Sequence, residues 1–271
     1  MSSDSEDELA GGPHEERVNF LRNLVDRMEA EADHRLQKQF SVLYGVTSGL
    51  GVLLIVLTLV WITHFRNGFS VKDPSQEFYW HPMLMILGLV FIYAQSILTF
   101  RIARYAKKKV LKLTHATLHC LAFILSVIAL KAVFDSHNYA KPPMPNLYSL
   151  HSWIGLVTVI LFTYQFASGF VTFLFPGLSK TIRTCYLPFH TFFGAAIFTM
   201  VIVTALLGFA EKAIFSIPDY NQLGSEATLV NFMGVILLAF GLLVLYLVYN
   251  PTYKRLALAE DEITLVGRDS D

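Results

Sequence analysis

Long apolar runs alternate with short polar stretches along most of the chain. A helix needs about 20 mostly apolar residues to cross the hydrocarbon core of a bilayer. Six segments meet that length, at roughly residues 41–64, 82–102, 112–134, 150–174, 186–209 and 228–249. The pattern therefore predicts an all-α fold, a six-transmembrane-helix bundle set in a lipid bilayer.

Polar sequence flanks this apolar region at both ends. Residues 1–40 are expected to be an N-terminal tail, within which residues 15–39 are compatible with a short charged or amphipathic helix. Residues 41–250 form the predicted membrane domain. The last 20 residues are expected to be disordered, within a C-terminal tail at 251–271.

The composition supports lipid as the solvent of this chain. Hydrophobic residues make up 54% and charged residues 15% of the sequence, whereas soluble domains have about 45–50% and about 25%. The formal net charge is zero and no tract dense in Arg and Lys is of the type that binds nucleic acid, so nucleic acid is not an expected partner. The only cysteines, Cys120 and Cys185, have neither the spacing of a metal site nor that of a disulfide framework.

Basic residues are concentrated in alternate loops. On one side of the predicted bundle they are Arg101, Arg104, Lys107, Lys108, Lys109, Lys112, Lys180, Arg183, Lys254 and Arg255. The loops on the other side mix lysines with acidic residues. Because cytoplasmic loops carry an excess of Lys and Arg, both termini are predicted to be cytoplasmic.

Four of the nine histidines lie near the starts of predicted membrane helices. His81 (FYWHPMLM) and His151 (LYSLHSW) open the second and fourth helices, and His115 (KLTHATLH) and His190 (LPFHTFFG) lie early in the third and fifth. Since the helices alternate in direction, the first two histidines belong near the non-cytoplasmic side and the other two nearer the cytoplasm. Ionisable residues inside membrane helices are costly and usually functional, although each one alone could simply be hydrogen-bonded to a neighbouring helix.

Two layers of two histidines favour haem over zinc. A haem iron accepts two imidazoles from opposite faces of its ring, whereas zinc takes three or four ligands at one depth. We therefore predict that the central four helices enclose two haem groups. His119, one turn after His115, competes with it as a ligand on spacing alone. His64 is expected to be an interfacial polar residue, and His137 an exposed loop residue.

Glycines recur along the same helices. They are Gly88, Gly155, Gly169, Gly194 and Gly208. Small residues permit close approach of another helix or of a flat macrocycle, and the sequence does not choose between the two.

Six blocks of sequence carry a family resemblance. They are HPMLMILGLVFIY, KLTHATLH, ALKAVFDSHN, NLYSLHSWIGL, LPFHTFFG and TALLGFAEKAIF. Together they resemble, in the same order, the cytochrome b561 family of ascorbate-dependent transmembrane electron carriers. The resemblance covers about residues 41–250 and implies two haem b groups that carry electrons from cytoplasmic ascorbate to a non-cytoplasmic acceptor. That acceptor is a ferric iron chelate or monodehydroascorbate.

The resemblance also implies a ligand set and a donor site. His81 would pair with His151, and His115, rather than His119, with His190 as axial ligands of haem iron. On the cytoplasmic side, Arg101, Lys108, Lys112, Arg183 and Lys254 match positions that hold ascorbate or haem propionates, with Lys112 as a candidate catalytic residue. Cations at the membrane edge attract an anionic reductant, but the same residues could serve only to set topology.

On the far side, the resemblance points to an acceptor site and to contacts with the outer haem. Phe134, His137 and Asn138 match the acceptor site, where His137, the second candidate catalytic residue, could transfer a proton because its ordinary pKa is close to physiological pH. The outer haem contacts would be Asn146, Tyr148, Ser149 and Glu211. Asn146 and Ser149 could instead cap a helix start.

Two other functions stay open at this point. A proton- or metal-coupled transporter would use the intramembrane histidines as a relay, and a haem-bearing structural or sensing subunit would have no turnover. The acidic stretch EDEITLV near the C-terminus is similar to an endosomal sorting signal, with Val266 in place of Leu or Ile. The expected location is therefore an endosomal, lysosomal or secretory vesicle membrane, or the plasma membrane, and the resemblance suggests a homodimer.

Overall fold

A computed structural model describes residues 13–255 of the chain. Within that range the secondary structure is helical, without a strand, and six helices are long and apolar enough to cross a membrane. They are span 1 (His14–Phe65), span 2 (Pro74–Ile102), span 3 (Lys108–Asn138), span 4 (Leu150–Phe173), span 5 (Lys180–Ser216) and span 6 (Ser225–Tyr249). The predicted all-α, six-helix fold is confirmed. The predicted C-terminal disorder is wrong for the first residues of that tail, because Pro251–Tyr253 form a 3-10 turn in which Tyr253 is buried. Residues 256–271, which include the sorting-type stretch, lie outside the described residues.

Span 1 begins much earlier than hydropathy indicates. One α-helix runs from Pro13 to Val60 and is followed by a π-helical turn, Trp61–Phe65. The short helix expected over residues 15–39 is therefore part of a longer one, because no Gly or Pro interrupts the sequence between Pro13 and Gly45. The chain divides into two compact units, one ending at Val42 and the other beginning at Leu43.

Spans 2 to 5 form a closed ring. Span 2 packs against span 3, span 3 against span 4, span 4 against span 5, and span 5 against span 2. Span 6 packs against spans 2 and 5 from outside this ring. Inside it, the fully buried ring of Tyr93 lies 5.2 Å from that of Phe162 and 5.6 Å from that of Phe198. The central four helices thus enclose an aromatic interior.

A π-helical segment, Ile86–Ile92, interrupts span 2 and sets which residues face that interior. In a regular α-helix each residue turns the chain by about 100°, so Tyr93 would lie about 120° around the helix from His81. A wide π turn takes up about one extra residue, which reduces that angle to about 20°. The wide turn therefore puts Tyr93 on the interior face that His81 also occupies.

Candidate functional site

The histidines of the outer layer face each other across the helical ring. The imidazole centroids of His81 and His151 are 6.1 Å apart, and the ring planes are at 85°. His81 Nδ1 lies 3.3 Å from the Ala129 carbonyl oxygen, and His151 Nδ1 lies 2.9 Å from that of Thr204. A carbonyl can only accept, so each Nδ1 carries the proton and each Nε2 keeps a free lone pair.

The inner layer repeats this arrangement with different partners. The centroids of His115 and His190 are 6.3 Å apart, at an interplanar angle of 69°. His115 Nδ1 is 2.9 Å from the Ser96 carbonyl oxygen, and the Ser96 hydroxyl donates to the His115 carbonyl at 2.8 Å. Gln165 Nε2 lies 3.1 Å from His190 Nδ1 and donates to the His190 carbonyl oxygen at 2.6 Å. Sequence reasoning missed Ser96 and Gln165, since a polar residue in an apolar run carries no sign of its partner.

Each pair has the spacing that one metal ion between two imidazoles requires. Nitrogen–metal bonds of about 2.0 Å on both sides separate the two nitrogens by about 4 Å, and each ring centre lies roughly one ring radius further out. Centroid separations of 6.1 and 6.3 Å agree with that geometry. No group of three or more His, Cys, Asp or Glu side chains suited to a metal occurs among residues 13–255. The donor sets therefore fit a bis-histidine haem iron better than zinc.

Two of the glycines make room for histidine rings. A Cβ added to Gly208 would lie 2.7 Å from Cε1 of His151, and one added to Gly169 would lie 2.7 Å from Cε1 of His190. Real Cβ atoms do not approach that closely, so these two positions exclude any larger residue unless the ring moves. The glycine pattern noted in the sequence thus has a local explanation at these two positions, one in each layer.

His119 lies beside the inner pair without the carbonyl acceptor that Nδ1 of His81, His115 and His151 has. It is 7% exposed, with its ring 4.5 Å from that of His115 and 4.7 Å from that of Tyr93. Its Nδ1 is buried without a hydrogen-bond partner in the described part of the chain. An imidazole ligand usually has its second nitrogen fixed by an acceptor, so the geometry favours His115 as the ligand.

A cavity of about 1360 Å³ opens beside the outer pair. Besides His81 and His151, its lining contains six of the residues singled out on the far side, namely Phe134, His137, Asn146, Tyr148, Ser149 and Glu211. Asn138 is outside the lining and accepts a hydrogen bond from Asn146 Nδ2 at 2.8 Å. The structure therefore brings the predicted outer residues to one place.

The loop after span 3 shapes the rim of this cavity. His137 was expected in an exposed loop, but it lies in the last turn of span 3 and is half-buried. The loop folds back over this turn, and the Met144 amide donates to the His137 carbonyl at 3.0 Å. Ser149 does cap span 4, since its hydroxyl accepts from the Ser152 amide at 3.2 Å. Asn146 bonds to Asn138 instead of capping the helix.

The basic residues predicted to face the cytoplasm are partly engaged with helix termini. The Arg101 guanidinium donates to the carbonyl oxygens of Val248 and of Asn250, at the end of span 6. Lys112 Nζ donates at 3.2 Å to the carbonyl of Phe173, the last residue of span 4. Cations favour helix C-termini for this reason. Lys108 and Lys254 are exposed and Arg183 is half-buried, so these three side chains are accessible at the same end.

Sequence comparisons place this chain beside proteins of known family. Residues 80–216 match the family model described as eukaryotic cytochrome b561. A plasma membrane ascorbate-dependent reductase from Xenopus tropicalis is 42% identical over 222 residues, which are 80% of this chain and 78% of that protein. A lysosomal membrane ascorbate-dependent ferrireductase from Homo sapiens is 42% identical over 212 residues, 76% of this chain and 87% of the relative. A transmembrane ascorbate-dependent reductase from Sus scrofa is 41% identical over 214 residues, 79% and 84% of the two chains.

Proposed function

The chain belongs to the eukaryotic cytochrome b561 family, and from that premise we propose that it is an ascorbate-dependent transmembrane reductase. It carries electrons from ascorbate on the cytoplasmic side to an acceptor on the other side. The observation that carries this proposal is the presence of two facing histidine pairs, 6.1 and 6.3 Å apart between ring centres, on four helices packed as a ring. The relatives named above are reductases, and none of those names supports the alternative of a transporter.

The family binds haem b, and we assign one haem to each histidine pair. His81 and His151 would hold the outer haem, and His115 and His190 would hold the inner haem. Bound haem supplies one-electron redox chemistry that no amino-acid side chain in the ring offers. The carbonyls of Ala129, Thr204 and Ser96 hold the Nδ1 protons of His81, His151 and His115, which would leave Nε2 of these three histidines free to bind iron.

At the cytoplasmic end, basic side chains receive the donor. Lys108, Lys112 and Arg183 bind ascorbate, which is an anion, by charge-assisted hydrogen bonds. Lys112 donates one N–H to the Phe173 carbonyl. This hydrogen bond orients the ammonium group and leaves its two other N–H donors for ascorbate. Arg101 and Lys254 neutralise propionates of the inner haem, with Arg101 braced by its bonds to the end of span 6.

At the outer end, the cavity receives the acceptor. Phe134 and His137 contact the acceptor, and Asn138, which lies outside the lining, holds Asn146 by a hydrogen bond. Asn146, Tyr148, Ser149 and Glu211 would surround the outer haem. His137 exchanges a proton when the acceptor requires one, since its half-buried ring reaches both the cavity and solvent. The acceptor is a ferric chelate or monodehydroascorbate, and the ferrireductase name of the human relative favours the ferric chelate.

The protein is integral to a membrane, since six helices have the length and apolarity to cross one. We place both termini in the cytoplasm, on the distribution of Lys and Arg between the loops. The relatives bear the names of plasma membrane and lysosomal membrane proteins, and one of these two membranes is the location we propose. We further propose a homodimer as the assembled form.

Visible spectroscopy of the purified full-length protein tests this function. We expect a Soret band and a reduced b-type spectrum after the addition of ascorbate alone, followed by reoxidation with ferric citrate. A well-folded protein without a Soret band would favour a transporter. A haem spectrum that ascorbate leaves unchanged would favour a structural or sensing subunit without turnover.

A further inference from the structure

Lys212 lies in the outer cavity and has no role in the ligand set described above. It is half-buried, one turn before the end of span 5, and belongs to the cavity lining together with His81 and His151. Its ammonium nitrogen lies 4.0 Å from the centroid of the Phe78 ring and 5.3 Å from that of the Tyr79 ring. The Phe78 ring is in turn 6.3 Å from the imidazole of His81. The lysine is thus separated from an outer ligand by a single aromatic ring.

The contacts of Lys212 leave its hydrogen-bonding capacity unused. Aromatic faces attract an ammonium group, but they do not replace the oxygen acceptors that its three N–H donors require. Among residues 13–255, no carboxylate lies within salt-bridge distance of Lys212. A half-buried cation at the edge of a membrane is costly without a counter-ion, so the position suits an anionic ligand.

A separate ion pair engages one carboxylate oxygen of Glu226. Arg66 pairs with Glu226 at 2.5 Å and donates to the Ser216 carbonyl from both terminal nitrogens at 3.1 Å. The Trp61 indole donates to the same Glu226 carboxylate at 2.8 Å. Both donors bind Oε1 of Glu226, and neither contact involves Lys212.

The charged side chains in the cavity lining also leave a cationic excess. Three lysines, Lys72, Lys141 and Lys212, face two carboxylates, Asp73 and Glu211. Asp73 is engaged locally, because the hydroxyl and the backbone amide of Ser75 both donate to it and lower its pKa. Lys72 and Lys141 are exposed and hydrated, which leaves Lys212 as the cation held on a fixed aromatic surface.

We propose that Lys212 binds a carboxylate group in the outer cavity, on the aromatic surface formed by Phe78 and Tyr79. This assignment rests on the proposed function. The carboxylate comes either from the anionic acceptor, such as citrate bound to ferric iron, or from a propionate of the outer haem. Lysine recognises both as a compact point charge.

Lys212→Gln is the test variant and Lys72→Gln its control, because Lys72 lines the same cavity but is exposed. Lys212→Arg keeps the positive charge and should retain most of the function of the parent. Three properties of the holoprotein separate the sources of the carboxylate: KM for ferric citrate, KM for the cationic acceptor hexaammineruthenium(III), and the midpoint potentials of the haems.

If the acceptor supplies the carboxylate, Lys212→Gln raises KM for ferric citrate about tenfold, the loss of one charge-assisted hydrogen bond. KM for hexaammineruthenium(III) and both midpoint potentials then stay at parent values. If a propionate supplies it, the variant shifts one midpoint potential or loses one haem, and slows transfer to both acceptors alike. A Lys212→Gln protein that matches Lys72→Gln in all three properties would overturn the proposal.

A second measurement does not depend on turnover. Redox-inert gallium(III) citrate should protect Lys212, but not Lys72, from acylation by an amine-reactive reagent if the acceptor is the ligand. In the propionate case Lys212 is already protected in holoprotein without gallium citrate. Equal labelling of the two lysines under both conditions contradicts the proposal. Absence of haem or of reduction by ascorbate in the parent protein would instead contradict the proposed function, while the labelling still reports on Lys212.

Discussion

The outer and inner histidine pairs have the same ligand chemistry in two different surroundings. At the outer pair, both Nδ1 atoms meet backbone carbonyls, of Ala129 and Thr204, and the rings border a cavity of about 1360 Å³. At the inner pair, the support of His190 comes from the side chain of Gln165, and aromatic rings lie close by, including Phe100, Phe173 and Tyr186. The outer site is open and held by backbone, whereas the inner site is packed and partly held by side chains.

This difference indicates how point mutations can change each site. A substitution removes a side chain but leaves the backbone carbonyl in place, so the hydrogen bonds of His81 and His151 should persist in most variants. The contact of His190 with the Gln165 side chain, in contrast, is lost when Gln165 is replaced. The outer site can change instead through its cavity, where we propose that the acceptor binds. We therefore expect mutations that change the haem of one histidine pair and leave the haem of the other pair unchanged.

Replacement of the four paired histidines should produce the largest difference between the two haem sites. His81→Ala or His151→Ala should remove the outer haem and retain the inner one, and His115→Ala or His190→Ala should do the reverse, because a bis-histidine site with one ligand holds haem poorly. Haem content and redox titration of the purified variants measure this. His119→Phe, which preserves a ring in the aromatic interior, is the control and should retain both haems. If the His81 and His151 variants had the same spectra as the His115 and His190 variants, the proposed histidine pairs would be wrong.

Glycine substitutions should give the next largest effect. Gly208→Ala forces a methyl group against the His151 ring and Gly169→Ala against the His190 ring, so each should weaken haem binding in its own layer. Overpacking of this kind costs about 1–3 kcal/mol, visible as a lower unfolding temperature of the holoprotein. Gly45→Ala and Gly49→Ala are matched controls, since nothing lies within 4 Å of a Cβ at either position. They should be neutral or stabilising by up to about 1 kcal/mol. Equal losses at all four positions would mean that general helix packing, not the histidines, explains the glycines.

A smaller effect should distinguish side-chain from backbone support. Gln165→Leu should shift the midpoint potential of the inner haem by on the order of 20–60 mV, the one-electron equivalent of a hydrogen bond worth about 0.5–1.5 kcal/mol. Thr204→Val keeps the carbonyl that His151 uses and should leave both potentials unchanged. Redox titration monitored in the visible region provides the comparison. A shift in the outer haem alone after Gln165→Leu would reverse the proposed assignment of layers.

The smallest effect is expected among the basic residues at the proposed ascorbate site. Lys108→Gln should raise KM for ascorbate about two- to threefold, because an exposed charge contributes about 0.2–1 kcal/mol, and added salt should reduce the difference. Lys109→Gln, an exposed neighbour outside the proposed site, is the control. KM for the outer acceptor should not change in either variant. If Lys109→Gln raised KM for ascorbate more than Lys108→Gln, the proposed ascorbate site would be wrong.

The helical architecture was predictable because hydropathy is a local property. All six apolar segments are helices, but hydropathy placed the start of the first near residue 41, whereas that helix begins at Pro13. A hydropathy window detects where lipid begins and does not detect a helix that continues through polar sequence. Spans 2 to 5 pack as a ring, which agrees with the prediction that the central four helices surround the histidine pairs.

The site was predictable to the level of layers and no further. A histidine near the start of a helix lies near one membrane surface, and alternation of helix direction assigns the side. Residues one turn apart share a helix face, so spacing alone could not choose between His115 and His119. The residue roles assigned to Arg101, Lys108, Lys112, Arg183 and Lys254 stay predictions, and the structure adds that Arg101 and Lys112 also bind helix termini.

The sequence by itself determined six membrane-spanning helices and two depths for four histidines, because both follow from apolar length and from position along one helix. Tertiary structure alone decided which rings face each other, why Gly169 and Gly208 must be small, and that Lys212 lies on Phe78 beside the outer pair. Those relations join residues on different turns or different helices. They depend on the wide turn in span 2 and on the packing of spans 2 to 5, which no local pattern records.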